Sequence, residues 1–317
     1  MNFNEVKTTA VVGAGDIGHG IALTLGLAGY EVRLNSTNDA SLQNGMDFIK
    51  AGLDRLVGLD MTTPDLAQSA LANISTTTSL EEASRDCDVV IEAVYENAEL
   101  KQQIFRDLDA FCPERTILVS NTLTIIPSRF AEVTQRPDRV LVTHYTGPAY
   151  VSPLVEIVRT EQISDETVDI MFQAFKKSGK RPVIIQKEVP GFIAIRLEVA
   201  IAREALSMVQ GGIASPEDID TVLKTGYPRR WVAAGFFESF ETGPGWSLFL
   251  TGLKQVLPDI DSSMGVIEFL QERVVKDELG AKTGKGFYHW TQEANEETSQ
   301  KIAKVFIEIE RLLENSA

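Results

Sequence analysis

The sequence predicts a doubly wound α/β domain followed by an all-α domain, and three observations carry that expectation. Short β-rich runs alternate with helical stretches through the first half of the chain. A glycine-rich turn follows the first of those runs directly. Beyond Lys187-Glu188-Val189-Pro190-Gly191 the strand signal stops and helical periods take over.

The expected strands are residues 8–12, 32–34, 74–76, 89–91, 117–119, 140–143, 154–158 and 183–185. Helix-like segments separate the first five, the pattern of βαβ units and a parallel sheet. Between the second and third strands lies a helical insert, 39–72. There Leu42, Met46, Ile49, Leu53 and Leu56 keep a helical period, and Thr63-Pro64-Asp65 offers a helix start with proline at its first position. The first domain is therefore read as 1–187. Residues 192–210 read as one long helix stopped by Gly211-Gly212. Ser215-Pro216-Glu217-Asp218 opens the next, with a capping serine, a proline and two acids against the helix dipole. An amphipathic tail covers 293–313. The second domain, 188–317, is expected to be a helical bundle.

The 317 residues suit two domains, with 44% hydrophobic and 24% charged residues giving ordinary globular cores. A net charge of −15 disfavours nucleic acid and anionic membrane surfaces as partners. No apolar run approaches a membrane span, and Met1-Asn2-Phe3-Asn4-Glu5 lacks the regions of a signal peptide. Cys87 and Cys112 show neither metal-ligand nor disulfide spacing and read as reduced thiols of a cytoplasmic protein.

Gly13-Ala14-Gly15-Asp16-Ile17-Gly18 fits the dinucleotide fingerprint of a Rossmann-like domain. Gly13 permits the tight turn, Gly15 lets backbone approach a pyrophosphate, and Gly18 allows close helix–strand packing. The helix that follows offers free N–H groups and the positive end of its dipole. The fingerprint also expects a carboxylate on the adenosine ribose at the end of the second strand. Asn35-Ser36-Thr37-Asn38 stands there instead, with Ser36 in the acidic place and no arginine to hold a 2′-phosphate. NAD is the expected cofactor, with NADP left open.

Oxidation of an alcohol by hydride transfer needs a base for the hydroxyl proton. Of the three histidines, His19 falls in the helix after the glycine turn and His289 in a Phe287-Tyr288-His289-Trp290 turn segment. His144 ends an apolar strand and so reaches the carboxyl edge of the sheet, where open α/β folds bind ligands. Glu156 sits inside Leu154-Val155-Glu156-Ile157-Val158, where a buried carboxylate needs a partner. His144 is the natural one, although a purely structural pair or a solvent-facing Glu156 has the same sequence.

Several segments together resemble the 3-hydroxyacyl-CoA dehydrogenase family in order and spacing. They are Asp88-Val89-Val90-Ile91-Glu92-Ala93-Val94-Tyr95-Glu96-Asn97 with Leu100-Lys101, Ser120-Asn121-Thr122, His144 with Pro148, and Leu154-Val155-Glu156-Ile157-Val158. Pro190-Gly191-Phe192 and Lys282-Thr283-Gly284-Lys285-Gly286-Phe287-Tyr288 complete the set. The resemblance covers nearly the whole chain, the helical insert included. It implies an NAD(P)-dependent oxidoreductase interconverting a 3-hydroxy acid or 3-hydroxyacyl-CoA and its 3-keto form, with His144 and Glu156 as the catalytic pair. It further implies Glu96 and Lys101 beside the nicotinamide ribose, Asn121 in the same pocket, and a homodimer through the helical domain. Without the resemblance, Glu96 and Lys101 read as a solvated helix pair.

The sequence departs from the family at three polar positions. Leu123 stands where a serine is usual, Gly147 where an asparagine precedes the proline, and Ile195 where an asparagine precedes the arginine. The insert carries Lys50 and Arg55 against Asp39, Asp47, Asp54, Asp60 and Asp65, a poor surface for a polyphosphate. Thr225-Gly226-Tyr227-Pro228-Arg229-Arg230-Trp231 resembles the branch acting on free hydroxy acids, such as carnitine and gulonate dehydrogenases. Arg229 or Arg230 beside an aromatic residue suits a carboxylate, or else forms a surface turn. The competing expectation is a dinucleotide-binding protein of the same descent with weakened catalysis and a structural or sensing role.

Overall fold

The computed structural model describes residues 2–243 and 245–314. The chain divides into two compact units, 1–196 and 197–317.

The first unit is built on one sheet of eight strands: β1 (Thr8–Val12), β2 (Glu31–Asn35), β3 (Ile74–Thr77), β4 (Val89–Glu92), β5 (Ile117–Asn121), β6 (Val140–Tyr145), β7 (Leu154–Val158) and β8 (Arg181–Ile185). Their order is β3-β2-β1-β4-β5-β6-β7-β8. Neighbours pair in parallel except β6 and β7, which form an antiparallel hairpin. Every expected strand is present. β8 starts two residues earlier than its apolar run, and Pro182 lies within it. An edge strand tolerates a proline because one side of it has no ladder to complete. The strand order reverses between β1 and β4, the point where a doubly wound sheet opens a crevice at its carboxyl edge.

Helices cover both faces. α1 (Gly18–Leu27) packs with the insert helices α2 (Asp39–Gly58) and α3 (Pro64–Ala72). Ile21, Leu23, Leu34, Ile49 and Leu53 lie in that half of the core, all nearly without exposure. α2 is capped by the Asn38 side chain and α3 by Thr63 with Pro64 in its first turn. α4 (Leu80–Ser84), α5 (Ala98–Phe111) and α6 (Ser128–Ala131) cover the other face around Phe105, Leu108 and Phe130. α7 (Asp165–Lys177) leads to β8. Each such side chain taken from water contributes about 1.5–3 kcal/mol.

α8 (Ala194–Gln210) crosses the division between the units. α9 (Pro216–Thr225), α10 (Pro228–Ala234), α11 (Phe236–Glu241), α12 (Gly245–Val256), α13 (Gly265–Val275) and α14 (Gln292–Glu314) follow it. α9 starts on the Ser215 cap as expected. α8 begins two residues later than the sequence pattern, because Gly191 and Phe192 both have positive φ, 76° and 49°. Among the described residues no helix is long and apolar enough to cross a membrane.

Candidate functional site

The glycine turn sits between the end of β1 and the start of α1. Gly13 has φ 109°, and a Cβ there would fall 2.6 Å from the Ala93 carbonyl oxygen. A Cβ on Gly18 would meet the Gly13 carbonyl oxygen at 1.8 Å, so helix and turn approach as closely as glycine allows. Gly15 is exposed and has open space around its Cβ position. Asp16 is exposed and Ile17 half-buried. No side chain caps the start of α1. An open glycine at an uncapped helix N-terminus fits the pyrophosphate of a dinucleotide.

At the end of β2, Asn35 and Asn38 are committed to the protein. The Asn35 amide donates to the Thr77 carbonyl at 3.0 Å, and Asn38 caps α2 through the Ser41 N–H at 2.9 Å. Arg33, on the same strand, is tied to Asp86. Ser36 and Thr37 thus remain as the polar side chains of this segment, Ser36 half-buried directly after the strand.

Across the switch point, β4 ends in Glu92, a residue the sequence reading passed over. It is fully buried, and its carboxylate accepts from Lys101 Nζ at 2.8 and 3.0 Å, from the Ser120 hydroxyl at 2.7 Å and from the Val94 N–H at 2.6 Å. Burial pushes the Glu92 carboxyl up, against the pull of Lys101, Ser120 and Val94. Lys101 is fully buried as well and donates to the Asn121 carbonyl at 3.0 Å. The solvated Glu96–Lys101 helix pair is therefore corrected: Lys101 turns inward to Glu92, with Glu96 at 3.9 Å. A glutamate closing the run Val89-Val90-Ile91 was the available signal, of the same kind that marked Glu156.

Glu96 collects the loop after β5. It accepts from the Thr122 hydroxyl, the Leu123 N–H (3.2 Å), the Thr124 N–H (3.1 Å) and the Thr124 hydroxyl (3.0 Å). Burial opposes the charge on Glu96, but the Thr122 and Thr124 hydrogen bonds and Lys101 outweigh it and hold the carboxyl below its ordinary value. Asn121 reaches the next strand, its side-chain oxygen accepting the Tyr145 N–H at 3.1 Å. The structure thus joins Glu96, Lys101 and Asn121 in one network that ends beside His144.

His144 and Glu156 face each other across the β6–β7 hairpin. His144 Nδ1 lies 2.7 Å from Glu156 Oε2, and both side chains are 2% exposed. The other carboxylate oxygen accepts the Ile193 and Ala194 N–H groups at 2.9 and 3.0 Å, at the start of α8. Burial disfavours charge on Glu156, yet the bonds from His144, Ala194 and Ile193 prevail and hold its carboxyl below the ordinary range. An ionised acceptor at Nδ1 assigns that nitrogen the proton and leaves Nε2 as the free base position.

Phe192, read from sequence as the start of a helix and as part of the Pro190-Gly191-Phe192 motif but not as a site residue, completes the arrangement. Its buried ring packs on the His144 imidazole, with centroids 5.9 Å apart. Its left-handed backbone, a strain of about 1–3 kcal/mol for such a residue, places the next two N–H groups on Glu156.

The other expected residues lie on separate segments of the chain. Leu123 is 48% exposed on the loop held by Glu96, Gly147 is exposed in the hairpin loop after His144, and Ile195 is half-buried in the first turn of α8. Arg229 and Arg230 are exposed in the second unit. Arg229 donates to the Lys224 carbonyl at 2.6 Å, and Arg230 lies over the Tyr227 ring at 5.7 Å. His19 bonds the Gly15 carbonyl and stacks on Phe48, and His289 is exposed in a bridged turn with Lys285. A surface cavity of about 650 Å³ lined by Lys7, Asp88 and Arg115 sits at the opposite, amino edge of the sheet, where Asp88 pairs with Arg115 and accepts the Lys7 backbone N–H.

The profile of the 3-hydroxyacyl-CoA dehydrogenase NAD binding domain matches residues 8–189, and that of the C-terminal domain of the same enzymes matches 191–290. A probable 3-hydroxybutyryl-CoA dehydrogenase of Bacillus subtilis is 35% identical over 92% of this chain and 100% of its own length. The crystal structure of (S)-3-hydroxybutyryl-CoA dehydrogenase from Ralstonia eutropha has 33% identity and a TM-score of 0.74, over 91% of this chain and 100% of the other. The crystal structure of a 5-formyl-3-hydroxy-2-methylpyridine 4-carboxylic acid 5-dehydrogenase shares the fold over 98% of this chain and 99% of its own, with a TM-score of 0.90 at 24% identity.

Proposed function

We propose a mechanism on the premise that this chain belongs to the 3-hydroxyacyl-CoA dehydrogenase family and is an NAD-dependent dehydrogenase of hydroxyacyl-CoA or hydroxy acids: His144 moves the substrate's hydroxyl proton. The observation that carries this is the buried 2.7 Å contact between His144 Nδ1 and Glu156 at the carboxyl edge of the sheet. NAD, when bound, would supply the hydride acceptor for the alcohol carbon. His144 Nε2 takes the hydroxyl proton in oxidation and returns it in reduction. Glu156 keeps Nδ1 protonated and stabilises the imidazolium. It stays ionised itself, because two backbone N–H groups hold its second oxygen.

Gly13, Gly15, Asp16, Ile17 and Gly18 would hold the cofactor's pyrophosphate, Ser36 its adenosine ribose, and Glu96 and Asn121 its nicotinamide ribose. Lys101 would act through the positions it imposes on Glu96 and Asn121. Replacing Ser36 with aspartate is expected to tighten NAD and weaken NADP binding, since a carboxylate accepts ribose hydroxyls and repels a 2′-phosphate. Titrations of both reduced cofactors by fluorescence check this, and an unchanged affinity ratio would remove Ser36 from the ribose site.

The substrate we propose is a free 3-hydroxy acid with an apolar group near the reacting carbon. Leu123 and Ile195 make that wall apolar, and Gly147 adds no side-chain donor. The two cations of the insert are already engaged, Lys50 with Asp47 at 3.7 Å and Arg55 with the Tyr150 hydroxyl at 3.3 Å, which leaves a CoA phosphate little to bind. Arg229 or Arg230 would receive the carboxylate. A screen of 3-hydroxy acids and 3-hydroxyacyl-CoA esters at the nicotinamide absorbance tests the reading. Efficient acetoacetyl-CoA reduction would overturn the free-acid choice. Cofactor binding with no turnover on any substrate would favour the weakened, sensing reading.

The helical domain, 188–317, would form a homodimer. Helices α8 to α13 contain no buried residue among those described, while Leu197, Ile213, Phe237, Met264 and Val275 are 63–86% exposed. Apolar faces of that extent are ordinarily covered by a partner. Sedimentation of the purified chain should give the mass of two copies, and a stable monomer would overturn the assignment.

A further inference from the structure

Among the described residues of the first unit, two buried cations, Arg136 and Lys180, serve neither the cofactor network nor the His144–Glu156 pair, and Arg136 is paired with Asp109 at 2.7 Å. Lys180 lies between α7 and β8 and is 7% exposed. Its ammonium donates to two backbone carbonyls, Ala149 and, at 2.8 Å, Ser152. Among the described residues no carboxylate lies within ion-pair distance of it, and burial alone pushes the amine down to about 8. A buried charge without a counter-charge is costly, so its retention calls for a task that a neutral side chain would not perform.

The two carbonyls belong to the loop 146–153, which joins β6 to β7 and therefore His144 to Glu156. Within it the Thr146 and Ser152 hydroxyls bond each other, and the Val151 and Ser152 N–H groups both donate to the Pro148 carbonyl. That turn leaves its later carbonyls converging on one point, which the ammonium occupies. The outer side of the loop abuts the helix after the glycine turn. A Cβ on Gly20 would lie 2.9 Å from the Ala149 Cβ, and one on Gly147 would lie 3.6 Å from Ile17 Cδ1. The loop is thus a spacer between the hairpin that carries His144 and the helix that begins at the cofactor turn.

We propose that Lys180 is a positioning residue for the catalytic hairpin: by clamping the 146–153 loop it sets how far His144 stands from the helix α1. The proposal rests on the role given to His144 above. Without the clamp, the loop slackens, Ala149 leaves α1, and His144 loses its fixed relation to whatever the glycine turn holds. A small misplacement of a base costs turnover far more than it costs binding.

The test uses the full chain with Lys180→Met, and Lys180→Gln as a polar, uncharged second variant should the methionine protein not fold. Hydrogen exchange read by mass spectrometry needs no substrate. Peptides covering 146–153 should exchange several-fold faster in the variant while those of β1 and β4 are unchanged. In reduction of the keto substrate found by the screen, kcat should fall about tenfold or more with KM for NADH nearly constant. The primary isotope effect from 4-deuterated NADH should rise. Lys180→Arg, which keeps charge and donors, should recover part of kcat. Unchanged exchange in the loop, or a folded variant with wild-type kcat and only a lowered Tm, would overturn the proposal. A wild-type protein that transfers no hydride would instead count against the dehydrogenase reading, with the exchange experiment still deciding the clamp.

Discussion

His144→Ala is expected to lower kcat by about two to four orders of magnitude, the usual worth of a positioned general base, while NADH binding stays close to wild type. On the proposed mechanism the loss falls on kcat, because His144 would meet the reacting hydroxyl, whereas the glycine turn and the Glu96 network proposed to hold the cofactor are untouched. Glu156→Gln should follow at about two orders of magnitude. A glutamine has one acceptor oxygen: turned to the Nδ1 proton it brings no charge to stabilise the imidazolium, and its NH2 cannot accept the two N–H groups at the start of α8. Single-turnover reduction with stoichiometric NADH separates the chemical step from release. A His144→Ala protein turning over at a near wild-type rate would remove His144 from the mechanism.

Glu92→Leu should cost about 3–5 kcal/mol of stability, the penalty for leaving a buried charge without its partner. Lys101 is fully buried, and its remaining partners, the second Glu96 oxygen at 3.9 Å and the Asn121 carbonyl at 3.0 Å, do not replace the two-oxygen contact with Glu92. Lys101→Met strands Glu92 in the same way. The double variant with leucine and methionine should regain most of the loss, because an apolar pair needs no desolvation. Urea unfolding of the two single variants and the double one forms a double-mutant cycle, and purely additive losses would show that the two groups do not act as a unit. The double variant should still bind NADH more weakly than wild type, since the Lys101 bond to the Asn121 carbonyl is gone even when stability is restored.

The strands and the glycine turn were legible because their signals are local. Alternating or continuous apolar runs specify strands, and spacing specifies Gly13, Gly15 and Gly18. The His144–Glu156 pair was legible for a different reason: a carboxylate inside an apolar strand must find a partner, and the chain has few candidates. The same rule applied to Glu92, yet there the partner was a lysine nine residues on in a helix, where charge ordinarily means solvent. No local pattern tells an inward lysine from an outward one. Phe192 escaped for a related reason. Its residue type and neighbours favour a helix, and only the demand for N–H groups on Glu156 and a ring against His144 holds it in a left-handed turn.

Sequence alone therefore determined the order of strands and helices along the chain, the division into a sheet domain and a helical one, the dinucleotide turn and the pairing of His144 with Glu156. Each depends on periodicity or on the chemistry of single residues. Tertiary structure alone decided which polar groups are buried together, so Lys101 went to Glu92, Asn35 to the Thr77 carbonyl and Lys180 to the hairpin loop. Those choices depend on which segments the sheet order brings within about 3 Å of one another. Desolvation then makes each such contact obligatory, because a buried polar group left without a partner costs more than any local preference can return.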